Sequence, residues 1–295
     1  MKPMLAAPVK IDQVQFPVYA SAKLDGVRAV VMEGTVFARS LKELPNENIQ
    51  KMFGQRSLEG LDGELVFGPP YAKDVYLRTV SICNSKAKPI PDIAFWVFDF
   101  ITEPDVPFSD RLRSVNLVCR QAQKQKLPVY MLPQVRINNE KELREYERYR
   151  LVEGYEGVIL RSPDGTYKYG RSTVKEGGML KLKRFVDAEA EILEVYEEFA
   201  NENEATTNAL GRTERSSAKA GLVAKGTAGG LHVRSKEFTE TFRIGTGFTA
   251  EQREWFWANR SAVVGKQVKF KFFDHGVKDR PRHPVYLGPR EDWDL

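Results

Sequence analysis

Lys23 opens a short string, Lys23-Leu24-Asp25-Gly26-Val27-Arg28, whose residue types suit attack by an amine on phosphorus. A lysine amine has a free lone pair only when neutral, and its ordinary pKa is about 10.4. Neighbouring cations and loss of solvent lower that value. The phosphoryl group and its leaving group also need a metal ion and fixed cations to neutralise their charge. Arg28, five residues on, lies on a segment that can fold back over the same group. Alone, such a string is often a surface turn. Four further elements follow it in order. Asp62-Gly63-Glu64 enters the apolar run Leu65 to Phe67. Phe98-Asp99 closes an aromatic strand. Glu156-Gly157-Val158-Ile159-Leu160-Arg161 is a turn leading into a strand. Lys181-Leu182-Lys183 alternates, so both lysines face one side of a strand. Singly, these read as a turn, a core phenylalanine or a solvated lysine face; all five elements in this order are more than coincidence.

These groups need strands to hold them. The chain has 295 residues, 42% of them hydrophobic, enough for roughly two domains at about 100–200 residues each. The first 185 residues read as mixed α/β. Val27 to Met32 is a β-branched run that Glu33-Gly34 turns into Thr35 to Arg39, a hairpin signal. Ala94 to Ile101 and Val158 to Leu160 fit buried strands. Asp110 to Lys126 reads as a helix with Leu112, Val115 and Val118 on its apolar face. Asn139 with Glu142 resembles a capping box that opens a helix toward Tyr149.

The character changes near Asp187. Ala188 to Tyr196, Leu231 to Ser235, Phe238 to Ile244 and Lys266 to Phe273 read as strands. Thr249 with Gln252 caps a short helix whose Trp255, Phe256 and Trp257 suit packing more than base stacking. That pattern fits a small Greek-key barrel such as an OB-fold. The polar stretch from Asn201 to Gly230 reads as a loop or hairpin that orders on a partner. The organisation expected is thus domain 1–185 and domain 186–295, joined by a short hinge.

Net charge is +5 and the pI about 9.0, a weak pointer to a polyanionic partner. Within residues 211–236, Arg212, Arg215, Lys219, Lys225, Arg234 and Lys236 face only Glu214, so this segment alone matches the whole chain's excess. The chain shows no apolar run long enough to span a membrane and no signal-peptide pattern, so an intracellular protein is expected. Cys83 and Cys119 are too few for a four-thiolate zinc site and read as reduced packing residues. His232, His275 and His283 have no ligand spacing; the last two lie among Lys278, Arg280 and Arg282.

The ordered set resembles the covalent nucleotidyltransferases, the superfamily of ATP-dependent DNA ligases, RNA ligases and mRNA capping enzymes. It is most similar to the small ATP-dependent DNA ligases of phages and large viruses. Gln15-Phe16-Pro17, Gly170-Arg171-Ser172-Thr173, Lys175-Glu176-Gly177, Ile244-Gly245-Thr246-Gly247-Phe248 and Pro281-Arg282 extend the likeness over nearly the whole length. The resemblance implies an α+β fold: an adenylation domain with antiparallel sheets and flanking helices, then an all-β OB-fold. It implies that Lys23 takes AMP from ATP and that Arg28 orients the nucleotide. It makes Glu64 and Glu156 ligands of Mg²⁺ or its water shell, stacks Phe98 on adenine, and sets Lys181 and Lys183 on the α-phosphate. Arg39 and Arg171 would grip the 5′-phosphate of a nick, and Arg282 would orient the departing pyrophosphate. The family's Arg-x-Asp-Lys form is absent around Arg282. Larger ligases often carry a glutamate that touches adenine two residues before the lysine. Here that residue is Ser21, leaving a backbone carbonyl to serve the base.

The implied partner is nicked duplex DNA, sealed by a monomer whose loop at about 200–230 closes around the duplex. Only 22 residues precede Lys23, so no N-terminal DNA-binding domain is expected. The lysine chemistry alone also fits an RNA ligase or, with GTP, a capping enzyme; the basic insert and second domain favour duplex DNA.

Overall fold

In the computed structural model, which describes residues 1–273 and 279–290, the chain divides into two compact units, Met1–Lys183 and Arg184–Leu295. His275 and Lys278 lie outside the described residues. Among those described, no helix is long and apolar enough to cross a membrane.

The first unit holds two five-stranded sheets. In chain order its strands are β1 (Ala7–Pro8), β2 (Val18–Ala22), β3 (Val27–Met32), β4 (Thr35–Ala38), β5 (Leu61–Phe67), β6 (Ile93–Phe100), β7 (Val129–Met131), β8 (Val135–Ile137), β9 (Gly157–Arg161) and β10 (Leu180–Lys183). The first sheet runs β1-β10-β9-β2-β8 and the second β4-β3-β5-β6-β7. The β3–β4 hairpin forms where Glu33-Gly34 predicts it, and both turn residues adopt positive φ. That geometry matches the twist of the strands it joins. The helices are α1 (Glu47–Phe53), α2 (Val75–Cys83), α3 (Phe108–Lys124) and α4 (Glu140–Val152). Helix α3 buries Leu112, Val115, Cys119 and Ala122 as a 3.6-residue stripe, and the last three pack in the second sheet's core. Each fully buried aliphatic side chain of this kind contributes about 1.5–3 kcal/mol. Asn139 caps α4 by accepting from the Glu142 amide. Cys83 and Cys119 are buried and free, and burial pushes both thiols up to about 12.

A buried charge cluster ties the two sheets together. Asp99 on β6 is fully buried and accepts from Arg111 on α3, with Nε–Oδ1 at 2.6 Å, and from Arg161 on β9. Both guanidiniums are buried as well. Arg161 also donates to the Gly178 carbonyl at 2.7 Å and lies 4.1 Å from the Phe108 ring centre.

The second unit is a five-stranded sheet ordered β15-β14-β11-β16-β17, built from β11 (Val186–Asn201), β14 (Leu222–Arg234), β15 (Phe242–Ile244), β16 (Gln267–Phe273) and β17 (Arg282–Pro289). The short strands β12 (Ala205–Thr207) and β13 (Thr213–Arg215) pair only with each other. Helix α5 (Ala250–Ala258) begins at Thr249, whose capping box with Gln252 forms as the sequence indicates. Phe256 is buried in the core of this unit, and Trp255 and Trp257 pack against it.

Two sequence expectations change here. Of residues 201–230, expected as a loop or hairpin, β12 and β13 form a hairpin, but the segment does not stay outside the sheet to its end. Leu222 onward belongs to β14, paired with β11 through Asn201↔Leu222 and Phe199↔Ala224, and bulges absorb the glycines. Long-range pairing thus overrides a composition that reads as loop. The strand expected from Phe238 is shorter, because Phe238 turns back edge-on against Phe242 at 5.5 Å.

Burial alone would raise the Asp99 carboxyl, but Arg161 and Arg111 outweigh it and hold it below its usual 3.8. A carboxyl whose folded pKa is depressed stabilises the fold above its unfolded value and loses that contribution as pH falls through the folded one. Replacing Asp99 with Ala leaves two buried guanidiniums unpaired, so urea unfolding near neutral pH is expected to show a loss of about 3–5 kcal/mol. The gap between variant and parent is expected to narrow once acid protonates Asp99.

Candidate active site

The first unit encloses a cavity of about 270 Å³ lined from both of its sheets. From the first sheet come Ser21, Ala22 and Lys23 at the end of β2, Ile159 and Arg161 on β9, and Lys181 and Lys183 on β10. From the second come Arg28 on β3, Arg39 just past β4, Glu64 on β5 and Phe98 on β6. Arg171 adds a further cation from the segment between β9 and β10.

Strand register brings the first group together. β2 and β9 pair through Ala22↔Val158, and the Lys23 amide donates to the Gly157 carbonyl at 2.9 Å. β9 and β10 pair through Gly157↔Lys183. Three residues remote in sequence, Lys23, Glu156 and Lys183, therefore meet at one end of the sheet. The Glu156 carboxylate accepts from Lys23 Nζ on one oxygen and from Lys183 Nζ on the other. Gly157 allows this approach: a side chain there would meet the Leu182 carbonyl at 2.3 Å, and its φ of 150° suits glycine. Gly26 is needed for a similar reason, since a Cβ would lie 2.1 Å from the Leu65 carbonyl on β5.

Two cations on one buried carboxylate reshape its titration. Burial alone would raise Glu156, but Lys23 and Lys183 outweigh it and bring it down to about 2. Burial lowers Lys183, and the charge of Lys23 adds to this against the pull of Glu156, leaving it at about 8. Lys181 is lowered as well, by burial and by Arg171 and Lys23. On the opposite wall, burial raises Glu64 to about 7 against the attraction of Arg28 and Lys23. One end of the cavity thus holds closely spaced cations, which suits a polyphosphate.

Arg28 is held by an arrangement its sequence position does not announce. It forms a two-pronged bond to the buried Asp62, Nε–Oδ1 at 2.5 Å and Nη2–Oδ2 at 2.6 Å, and donates to the Met4 carbonyl at 3.1 Å. Tyr167 donates to the same Asp62. Burial lowers the Arg28 pKa, but Asp62 outweighs that cost and raises it overall. The guanidinium sits 4.6 Å from the Phe98 ring centre, fixing the ring that lines the cavity. Arg39 and Arg171 are exposed at the cavity, and Arg171 donates to the Ala6 carbonyl at 2.9 Å. Arg282 begins β17 in the second unit. Sequence reading missed the supports of the site: Asp62, Tyr167, Arg111 and the pairing of Arg161 with Asp99. Asp62 and Arg161 do lie inside the motif strings, but nothing local marks them as buried partners.

The chain has clear relatives among known proteins. The ATP dependent DNA ligase domain matches residues 3–183, and the DNA ligase OB-like domain matches residues 223–290. The crystal structure of a Chlorella virus DNA ligase-adenylate is 34% identical and aligns over 98% of this chain and 99% of its own, with a TM-score of 0.56. A Lig E DNA ligase, described as binding DNA with a minimal scaffold, is 24% identical over 98% and 99% of the two chains, with a TM-score of 0.72; it supports the fold alone. Among curated relatives, a DNA ligase of African swine fever virus (isolate Warthog/Namibia) is 28% identical over 57% of this chain. That match spans 42% of the viral ligase, less than half its length.

The shared carboxylate makes a spectroscopic prediction. Because Glu156 raises Lys183 while Lys23 and burial lower it, side-chain NMR is expected to show Lys183 titrating near pH 8 in the parent protein. In Glu156→Gln it is expected to titrate lower still.

Proposed function

This chain belongs to the ATP-dependent DNA ligase family, and from that premise we propose that it seals nicks in duplex DNA through a lysyl-AMP at Lys23. The observation that carries the reading is the meeting of Lys23, Glu156 and Lys183 beside Lys181 at one end of a cavity that Phe98 also lines. Adenine would stack on Phe98 with the triphosphate running toward the lysines. The Lys23 amine, having lost its proton, attacks the α-phosphorus; the N–P bond forms as the bond to the β-phosphate oxygen breaks and pyrophosphate leaves. Lys181 and Lys183 hold the α-phosphate oxygens and offset the developing charge. Arg282 of the second unit is assigned to the departing pyrophosphate.

AMP then passes from Lys23 to the 5′-phosphate of the nick, which Arg39 and Arg171 would grip. In the last step the adjacent 3′-hydroxyl attacks that phosphate and releases AMP, so the energy of the original anhydride drives the new phosphodiester bond. All steps reuse the same cations. Fixed charge and alignment therefore matter more than a general base.

Glu64, which lines the cavity, and Glu156, whose two oxygens are held by Lys23 and Lys183 at its lysine end, carry the hard carboxylate oxygens that magnesium takes and would hold the ion through its water shell. When bound, Mg²⁺ would withdraw charge from the phosphate oxygens as a Lewis acid.

The DNA-clamping role is assigned to the β12–β13 hairpin and its flanks, which carry Arg212, Arg215 and Lys219. Asn203 braces this excursion by donating to the carbonyls of Ser216 and Ala218.

Incubation with α-labelled ATP is expected to give a labelled protein, and Lys23→Ala is expected to abolish the label. A variant that still forms the adduct would sink the assignment. Residues 203–220 can be replaced by a tight turn without touching β14, since the Glu202 amide bonds the Gly221 carbonyl at 2.8 Å. That deletion is expected to spare self-labelling yet weaken nick binding. The salt dependence of binding is expected to flatten by about 0.9 in slope for each DNA phosphate the shortened protein no longer neutralises. Unchanged nick affinity would rule out the clamp.

A further inference from the structure

Gln134 lines the same cavity and has an unmet requirement. Its side-chain oxygen is shielded from solvent and has no hydrogen-bond partner. A buried amide oxygen left unpaired typically costs about 1–3 kcal/mol, so such an atom beside an open cavity is placed for a donor that arrives with a ligand.

The strand register shows where that donor would sit. β2 and β8 pair antiparallel through Tyr19↔Arg136 and Ala20↔Val135. Gln134 immediately precedes β8 and Ser21 follows Ala20, so the two lie where this ladder ends. Paired residues on adjacent strands point to the same face, and Ser21 and Lys23, two apart, share a face of their own strand. Ser21 and Gln134 both line the cavity. Ser21 is small and buried, so it leaves space rather than filling it. Gln134, just before β8, lines the cavity beside it. Apolar groups share this lining: Leu132, Ala22, Leu24 and the Phe98 ring belong to one packing cluster, and all four line the cavity. Lys181 and Lys183 are on β10, two strands from β2 on the side away from β8. A flat heterocycle on Phe98 would direct its edge toward Gln134 while its phosphates reach Lys181 and Lys183.

We propose that Gln134 reads the base of the nucleotide, its side-chain oxygen accepting a hydrogen bond from the exocyclic 6-amino group of adenine. The side chain makes no contact with reacting atoms and acts on selection alone. A carboxamide can match adenine through the oxygen and a ring nitrogen through its NH₂ group, the pairing that glutamine makes with adenine elsewhere. The proposal rests on the ATP-binding reading given above.

The experiment is initial-rate formation of the labelled protein with ATP and with purine riboside triphosphate, which lacks only the 6-amino group. Using the parent protein, the KM for purine riboside triphosphate is expected to be roughly tenfold above that for ATP, the factor of one lost hydrogen bond. In Gln134→Leu the KM for ATP is expected to rise about as much, that for purine riboside triphosphate to stay near the parental value, and kcat to change little. In Gln134→Glu, which keeps the acceptor, ATP is expected to retain its advantage. Equal KM values for the two nucleotides in the parent, or an equal rise for both in Gln134→Leu, overturns the proposal. The parental comparison needs no variant, so poor folding of either variant does not shield the idea. If the parent formed no adduct with either nucleotide, the ATP reading itself would fall and take this proposal with it; an adduct made equally well from both sinks only the role of Gln134.

Discussion

One carboxylate held between two ammonium groups sets the electrostatics of the cavity. Glu156 bonds Lys23 and Lys183 at once, and it can do so only because β9 lies between β2 and β10 in a fixed register. Burial, with the repulsion of Lys23 added to it, brings Lys183 down to about 8, while the two lysines hold Glu156 near 2 against its own burial. Such a pocket is electrostatically unsatisfied toward polyanions. A triphosphate entering it would meet charges already positioned, with little reorganisation left to do. The family's use of a lysine nucleophile is in keeping with that arrangement.

Holding two sheets at this spacing requires buried charge elsewhere. Asp99 with Arg111 and Arg161, and Asp62 with Arg28 and Tyr167, are two acidic centres set behind the cavity. Each is expensive to bury and would be a poor choice for stability alone. Their geometric effect is clear: Arg161 cannot leave β9, nor Asp99 β6, without stranding a charge, so the sheets keep their mutual position. Arg28 does double duty. Its bond to Asp62 removes its freedom, and its position over Phe98 fixes the ring against which a base would lie.

The second unit follows simpler rules. Its core is an aromatic cluster around Phe256, Phe270 and Tyr286, and its sheet wraps that cluster by bulged strands. The polar hairpin β12–β13 lies outside that sheet and pairs only with itself. A segment so weakly tied to its own core is suited to take its order from something else, and its cationic side chains suit a phosphate backbone.

Much was legible from residue order alone. The Lys23 string, Glu64, Phe98, Glu156 and the alternating lysines of β10 are local patterns, and turn chemistry at Glu33-Gly34 and caps at Asn139 and Thr249 act over a few residues. Such signals survive in a linear reading because their physics is short-range. Helix α2, the partners of Asp99 and Asp62, the strand character of residues 222–230 and the unpaired oxygen of Gln134 were not legible. Each depends on a residue more than ten positions away, brought close by sheet pairing. The sequence determined which groups could do the chemistry, since side-chain type and spacing are written directly in it. Only the tertiary structure decided which of them share a carboxylate, which are locked behind the cavity and which face it unpartnered, because burial and strand register are properties of the packed whole.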